Sequence, residues 1–81
     1  MKINRLKEVF KENGITSKKI SIYLDVEKET VSRWVTNKIQ PPISELYRIS
    51  EYLRIDIKEC FYPSDWSNSK IIPYKKESRN K

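Results

Sequence analysis

Apolar residues recur at helical spacing along residues 3–61, in short blocks that polar and turn-forming residues separate. The first block places on one helical face Ile3, Leu6, Val9 and Phe10. Asn13-Gly14 follows, and both residues tolerate the left-handed conformation in which helices end. The pattern therefore predicts a first amphipathic helix that ends near Glu12.

A second helix is predicted soon after this turn. Thr16 or Ser17 can cap it, because a hydroxyl at the N-cap accepts a backbone hydrogen bond. Ile20 and Leu24 lie four residues apart on its inner face. The Leu-Asp-Val sequence at residues 24–26 is too short for a loop, so we expect a tight turn there.

The third helix has a charged start and an apolar stripe. The stripe consists of Val31, Trp34 and Val35. Its position predicts that Trp34 is a core residue. Glu27 and Glu29 lie at the start, where carboxylates stabilise the positive end of a helix dipole. Asn37 is expected as a left-handed C-cap.

One more helix and a final turn complete the helical part. Two prolines between Lys38 and Pro42 forbid continuous helix. Ser44 is expected to cap a fourth helix that runs to about residue 53, with an inner face of Leu46, Ile49 and Leu53. Asp56 is expected to cap a final turn that holds Ile57, Cys60 and Phe61.

After Pro63 the apolar periodicity ends. The remaining residues are polar and basic, apart from Trp66 and the stretch Ile71-Ile72-Pro73-Tyr74. This composition predicts a flexible tail. The sequence thus predicts an all-α domain of five short helices at residues 1–62 and a basic tail at residues 63–81.

The charge distribution indicates a polyanionic partner. The net charge is +6, and such an excess attracts nucleic acid or anionic membranes. Residues 1–24 hold six basic and two acidic side chains, and residues 63–81 hold five and two. No apolar run approaches the roughly 18 residues of a membrane span, so nucleic acid is the favoured partner.

Residues that most catalytic and metal sites need are missing. Histidine, the commonest general base and nitrogen ligand, does not occur. Cys60, as a single cysteine, forms neither an internal disulfide nor a Cys-based zinc site, and its register predicts a buried, inert thiol. Residues 1–5 lead directly into the amphipathic pattern without a signal-peptide core. We expect a cytoplasmic protein that is not an enzyme and has no cofactor or metal.

The second helix, the turn and the third helix carry the functional signal. Two helices that cross steeply through a turn of about three or four residues need a small residue where their backbones approach. They also need a residue that tolerates positive φ in the turn, and then apolar residues that hold the third helix in place. The residues in these roles are, in order, Ile20, Ser21, Leu24, Asp25, Val26, Val31 and Trp34.

In this arrangement the sequence resembles the Cro/repressor-type helix-turn-helix family, also called the XRE family. The resemblance spans Asn4 to Phe61 and rests on order and spacing rather than on any single motif. The matching stretches are Ile15-Thr16-Ser17, Ile20-Ser21, Leu24-Asp25-Val26, Thr30-Val31-Ser32-Arg33-Trp34, Asn37-Lys38, Pro41, and Leu46 to Leu53 followed by Ile55-Asp56-Ile57. It implies a compact lambda-repressor-like domain.

Four positions depart from the usual pattern of that family. Members usually have Gln where Ser17 stands, Gly where Asp25 and Asn37 stand, and Ser or Thr where Glu27 stands. Asp and Asn enter the left-handed region more readily than most residues, so the backbone geometry is preserved. A serine reaches less far toward a phosphate than the usual glutamine, and Glu27 places a negative charge near DNA.

The resemblance implies that the third helix, about residues 27–36, enters the major groove of double-stranded DNA. Its base-contacting positions are then Glu27, Lys28, Glu29, Thr30, Ser32 and Arg33. Arg33 or Lys28 could donate to guanine O6 and N7, and a glutamate could accept from cytosine N4. The phosphate-contacting positions are Thr16, Ser17, Lys18, Lys19, Asn37 and Lys38. From the residues alone, solvated surface charges, dipole partners and a cap remain alternative roles.

A transcriptional regulator of this family usually pairs two copies on a palindromic site. No large apolar face is evident beyond the core stripes, so we expect a weak homodimer that forms mainly on DNA. The surface expected for it comprises Ile55, Ile57, Phe61 and Tyr62, extended by Trp66.

The alternative function is that of an antitoxin-like or adaptor protein whose helical domain and tail bind a protein partner. The tail itself could add non-specific attraction to DNA or serve only solubility. Its basic residues are Lys70, Lys75, Lys76, Arg79 and Lys81.

Overall fold

A computed structural model describes residues 1–74, and there the chain forms four α-helices and one 3-10 helix. The elements are α1 (Leu6–Glu12), α2 (Ser17–Leu24), α3 (Lys28–Val35), α4 (Ile43–Leu53) and the 3-10 helix Ile57–Cys60. The predicted all-α class and order of elements are confirmed. The fifth predicted helix is a 3-10 turn, capped as expected by Asp56, whose side chain accepts from the Lys58 N–H.

The helices surround one cluster of buried apolar side chains, whose members are Leu6, Val9, Phe10, Ile20, Leu24, Val31, Trp34, Leu46, Ile49 and Cys60. Trp34 is 4% exposed and Cys60 is fully buried, as the sequence predicted. Burial raises the pKa of the Cys60 thiol, because a low-dielectric environment disfavours the thiolate. The inward residues predicted for the helices are therefore buried in this cluster or packed against it, with the exception of Ile3.

Left-handed residues follow all four α-helices and set the turns, and the first of them is the predicted Gly14, with φ 62°. The predicted positive φ angles at Asp25 (58°) and Asn37 (61°) are present. Asn37 follows the C-cap of α3 rather than forming it, since Thr36 occupies that position with φ −90°. Arg54 also adopts φ 59°, where its backbone N–H bonds to Glu51 O. A long side chain gives no sequence signal for this conformation.

The start of α4 differs from the prediction. The helix begins at Ile43 with Pro42 as N-cap and without a side-chain capping bond, so Ser44 is not the cap. The carbonyl of Pro42 accepts from the N–H groups of Glu45 and Leu46 at 3.0 and 3.1 Å. Proline lacks an N–H and its ring restricts φ, which suits the first residues of a helix.

The N-terminal residues also differ from the prediction, because Ile3 lies outside α1 and is 42% exposed. Residues 3–5 run antiparallel to residues 60–62, with a bridge between Asn4 and Phe61. The Arg5 N–H donates to the Cys60 carbonyl at 2.8 Å, and the Tyr62 N–H donates to the Ile3 carbonyl at 3.1 Å. The two ends of the helical domain are thereby joined.

The chain beyond the helices is exposed as far as it is described. Trp66 is 76% exposed, and Ile71, Ile72 and Tyr74 are 81–89% exposed. No α-helix occurs between residues 64 and 74. The last part of the predicted tail, with Lys75, Lys76, Arg79 and Lys81, lies outside the described residues.

The burial of Trp34 generates a first prediction. Trp34→Ala should remove about 3–5 kcal/mol from the free energy of unfolding, which is comparable with the whole stability of so small a domain. We expect no cooperative thermal transition by circular dichroism near room temperature or above. Trp66→Ala is the matched control, since that indole is exposed, and its transition should be unchanged. A wild-type-like transition of Trp34→Ala would contradict the register of α3.

A second prediction concerns the hydrogen bond from the Tyr62 hydroxyl to the Glu8 carboxylate. This bond lowers the pKa of Glu8 from its usual 4.5 and raises the pKa of Tyr62 from 10.0. The bond therefore stabilises the fold between these values. That contribution is lost as pH falls through the lowered pKa of Glu8 or rises through the raised pKa of Tyr62.

Tyr62→Phe should accordingly lower the free energy of unfolding near neutral pH, and the difference from the wild type should disappear in acid. Urea denaturation at several pH values measures both effects. Tyr47→Phe changes an exposed tyrosine of α4 and serves as the control. A difference that persists unchanged well below the lowered pKa would argue against the bond.

Candidate nucleic-acid interface

The start of α2 presents backbone donors and basic side chains together. Thr16 is the N-cap, and its hydroxyl accepts from the Lys19 N–H at 3.1 Å. Ser17 is the first helical residue and is half-buried, whereas Lys18 and Lys19 are exposed. No acidic residue lies in this first turn. The positive end of the helix dipole and two ammonium groups thus favour an anion at this end of α2.

Ser21 lies at the small-residue position of the helix-turn-helix and is 5% exposed. Its hydroxyl donates to the Lys18 carbonyl at 2.6 Å, so no polar group is left unsatisfied there. The left-handed Asp25 turns the chain, and the Val26 N–H donates to the Ser21 carbonyl at 3.0 Å. These contacts set the direction in which α3 leaves the turn.

The two sides of α3 differ in character. Val31 and Trp34 are buried. Glu29, Ser32 and Arg33 are exposed, and their i, i+3, i+4 spacing places them together on the opposite side of the helix. The structure therefore brings these three predicted base-contacting residues onto one outward surface.

The other predicted base-contacting residues lie at the edges of that surface. Lys28 is exposed in the first turn, one helical turn before Ser32. Glu27 is exposed at the N-cap, without a side-chain capping bond. Thr30 is half-buried and faces the Trp34 side, four residues before that indole. Of the six residues, Thr30 is thus the least accessible.

Two predicted phosphate-contacting residues, Asn37 and Lys38, follow α3 and differ in accessibility. Lys38 is exposed, and its backbone N–H donates to the Arg33 carbonyl at 2.9 Å. Asn37 is half-buried, and its Oδ1 accepts from the backbone N–H groups of Ile3 and Asn4 at 2.8 and 3.0 Å. Asn37 is therefore held mainly by the protein itself, whereas Lys38 is accessible.

The ion pairs within residues 1–74 involve none of these positions. They are Arg5–Glu12 at 3.0 Å and Arg48–Glu45 at 3.3 Å. The exposed basic residues outside them include all the predicted DNA-contacting cations, Lys18, Lys19, Lys28, Arg33 and Lys38. Glu27 and Glu29 reduce the positive charge of this surface but do not neutralise it.

These features together constitute a helix-turn-helix, and the comparison with family profiles agrees. The profile of the Cro/C1-type HTH DNA-binding domain matches residues 5–64. The chain belongs to this family. A search of the curated proteins finds no significant match.

Two solved structures resemble this Cro/C1-type domain. A candidate DNA-binding protein from Bacteroides fragilis is 31% identical, with a TM-score of 0.73 over 76% of this chain and 100% of that one. A transcriptional regulator from Listeria innocua is 25% identical, with a TM-score of 0.66 over 85% of this chain and 68% of that one. The chain is thus similar to regulators and DNA-binding proteins of bacteria.

Metal-binding groups and membrane-spanning helices were also sought in the described part of the domain. Among residues 1–74, no group of three or more His, Cys, Asp or Glu side chains is arranged to hold a metal ion. No helix in that part is long and apolar enough to cross a membrane.

Sequence reasoning missed two features that hold α2 and α3 in place. Tyr23 of α2 stacks on Tyr52 of α4, with ring centroids 4.0 Å apart and an interplanar angle of 14°. Asn4 is 1% exposed and bonds with Gln40 and with the carbonyl of Trp34. The spacing of apolar residues along the chain reveals neither contact, because each contact joins residues that are distant in the sequence.

Proposed function

We propose that this Cro/C1-type domain is a sequence-specific regulator of transcription that inserts α3 into the major groove of double-stranded DNA. The observation that carries the proposal is the two-sided character of α3. Its apolar side is buried through Val31 and Trp34, and its other side exposes Glu29, Ser32 and Arg33. A helix held in this way offers its outward side chains to base edges.

Arg33 is the strongest candidate for a base contact. It is exposed and takes part in no ion pair within the described residues, and its guanidinium can donate two hydrogen bonds to guanine O6 and N7. Lys28 is the second candidate for a guanine. Glu27 and Glu29 can accept from cytosine N4, while Ser32 and Thr30 can contact either kind of base.

The phosphate contacts are proposed at the two ends of the helix-turn-helix. At the start of α2, the capping Thr16, the adjacent Ser17 and the two lysines 18 and 19 suit one phosphate group. Lys38 suits the backbone beyond α3. Asn37 would contribute only the Nδ2 hydrogen that its internal bonds leave over.

Two copies are proposed to bind a palindromic site, since one helix-turn-helix contacts only a few base pairs. The surface proposed for pairing remains partly exposed: Ile55, Ile57, Phe61 and Tyr62 are half-buried, and a cleft of about 520 Å³ lies between residues 1–3 and 61–66. A selected site without two-fold symmetry and a one-to-one complex would exclude this dimer.

A protein partner for the tail is the second candidate function, favoured by its exposed apolar side chains. These are Trp66, Ile71, Ile72 and Tyr74, and exposed apolar clusters mark interaction sites. An antitoxin-like or adaptor role of this kind is compatible with DNA binding by the helices.

Selection of bound fragments from random duplex DNA tests the proposed function. We expect a defined consensus, and fluorescence anisotropy should show an affinity that falls linearly with salt on logarithmic axes, because cations released from phosphates drive binding. An adaptor without DNA-binding function would enrich no consensus and show no salt-sensitive affinity.

The role of Arg33 gives a third prediction. Arg33→Ala should weaken binding to the selected site by about 1–3 kcal/mol and relax the preference at one base position, because a bidentate guanine contact is lost. Anisotropy titrations on the selected site and its single-base variants measure both effects.

Arg48→Ala is the matched control. It removes the same charge from α4, where Arg48 pairs with Glu45 and lies over the Tyr23 ring at 5.5 Å. This variant should keep the base preference. Equal losses by Arg33→Ala on selected and random DNA would reassign Arg33 to a phosphate.

A further inference from the structure

Three side-chain amides form a hydrogen-bonded cluster at the end of α3. We call Asn4, Asn37 and Gln40 the amide cluster. Asn4 Nδ2 donates to Gln40 Oε1 at 2.7 Å, and Gln40 Nε2 donates to Asn37 Oδ1 at 3.0 Å. Asn37 Nδ2 donates to the Asn4 carbonyl at 3.0 Å. The three side chains thus bond to one another as well as to the backbone.

The cluster joins α3 to the N-terminal residues. Asn4 Nδ2 also donates to the Trp34 carbonyl at 3.0 Å, while Asn4 Oδ1 accepts from the Leu6 N–H at 3.0 Å. Asn37 Oδ1 accepts the backbone N–H groups of Ile3 and Asn4. Two backbone donors at Oδ1 determine the orientation of this amide, because a flipped Asn37 would place its NH₂ against them.

This connection continues to the other end of the domain. Residues 3–5 pair with residues 60–62, so the last turn of α3 is linked through Asn4 to the segment that follows the 3-10 helix. Within residues 1–74, no buried side-chain nitrogen or oxygen lacks a hydrogen-bond partner. Each side-chain nitrogen and oxygen of the cluster has at least one hydrogen-bond partner, and a buried polar network whose groups are paired in this way rigidifies its surroundings.

We propose that the amide cluster positions α3 for base recognition, so that Asn4, Asn37 and Gln40 determine DNA specificity without a base contact of their own. The proposal rests on the proposed function. The proposal is based on the hydrogen bond from Asn4 Nδ2 to the carbonyl of Trp34, because Trp34 directly follows Arg33, the strongest candidate for a base contact. An eight-residue helix is about 12 Å long, and a tilt of about 10° moves its far end by about 2 Å. That displacement exceeds the range of hydrogen-bond distances.

Asn37→Gly tests the cluster with little disturbance of the turn. Glycine adopts the left-handed conformation of residue 37 without steric cost, so the end of α3 should persist. The variant removes every side-chain bond of Asn37. Faster amide hydrogen exchange at Ile3 and Asn4 should verify that the cluster has opened.

The expected result is a loss of discrimination. The ratio of affinities for the selected site and for random DNA should fall by about 5- to 150-fold, the equivalent of one mismatched base pair. Ile49→Val destabilises the core of α4 without touching the cluster. At a temperature where all variants are folded, it should keep the wild-type ratio.

Three results would overturn the proposal. One is a ratio for Asn37→Gly that equals that of Ile49→Val. Another is a loss of equal size on selected and random DNA, which would leave Asn37 with the phosphate contact proposed above and with no positioning role. Gln40→Ala removes cluster bonds without touching either asparagine, and it must lower the ratio in the same direction. A fall confined to Asn37→Gly would also contradict positioning.

The same experiment separates this inference from the proposed function. If the wild-type protein does not prefer the selected site over random DNA, the function is wrong. If the wild type shows the preference and the cluster variants retain it, only the positioning role is wrong.

Discussion

The burial of Val31 and Trp34 is the constraint on which the rest of the domain depends. The helix α3 has eight residues, and isolated helices of this length are not stable in water. Its two buried side chains each contribute about 1.5–3 kcal/mol through removal of apolar surface from water. They leave the opposite side of the helix free, so the interaction that stabilises α3 also exposes its polar residues.

The remaining helices hold α3 by different means. On one side, the small Ser21 and the left-handed Asp25 allow α2 to approach closely and turn sharply. The stacked pair Tyr23–Tyr52 connects α2 to α4. At the other end of α3, hydrogen bonds between the N-terminal residues and residues 34 and 37 hold the helix. A domain of about sixty residues buries only a small core, so these contacts add to the stability that apolar burial supplies.

The surface chemistry follows from the same arrangement. Basic residues at the start of α2, along α3 and after it are left outside the ion pairs of the described residues, whereas Arg5 and Arg48 are paired with carboxylates elsewhere. Basic side chains outside ion pairs attract phosphates, and dissolved salt screens this attraction and shortens its range. Glu27 and Glu29 lie within this surface, and we expect them to oppose non-specific binding while they favour a few base sequences.

Sequence alone determined the features that depend on local patterns. Apart from Ile3, the 3.6-residue period identified the inward residues of the helices. The hydroxyls of Thr16 and Ser17 narrowed the cap of α2 to two candidates, of which Thr16 is the cap, and the carboxylate of Asp56 identified another cap. The left-handed Asp25 and Asn37 were recognised from residue type. These signals lie within a few residues of the structures they specify. The order of the helices and the outward position of Arg33 follow from them.

Only the tertiary structure decided the features that join distant residues. Ile3 leaves the first helix because residues 3–5 pair with residues 60–62, and Asn4 is buried because its amide reaches the end of α3. Two local features at the ends of α4 also came only from the structure: Pro42 rather than Ser44 is the N-cap, and Arg54 turns left-handed. A hydrogen bond across thirty or more residues leaves no period in the sequence. It becomes visible only when packing brings its two partners together.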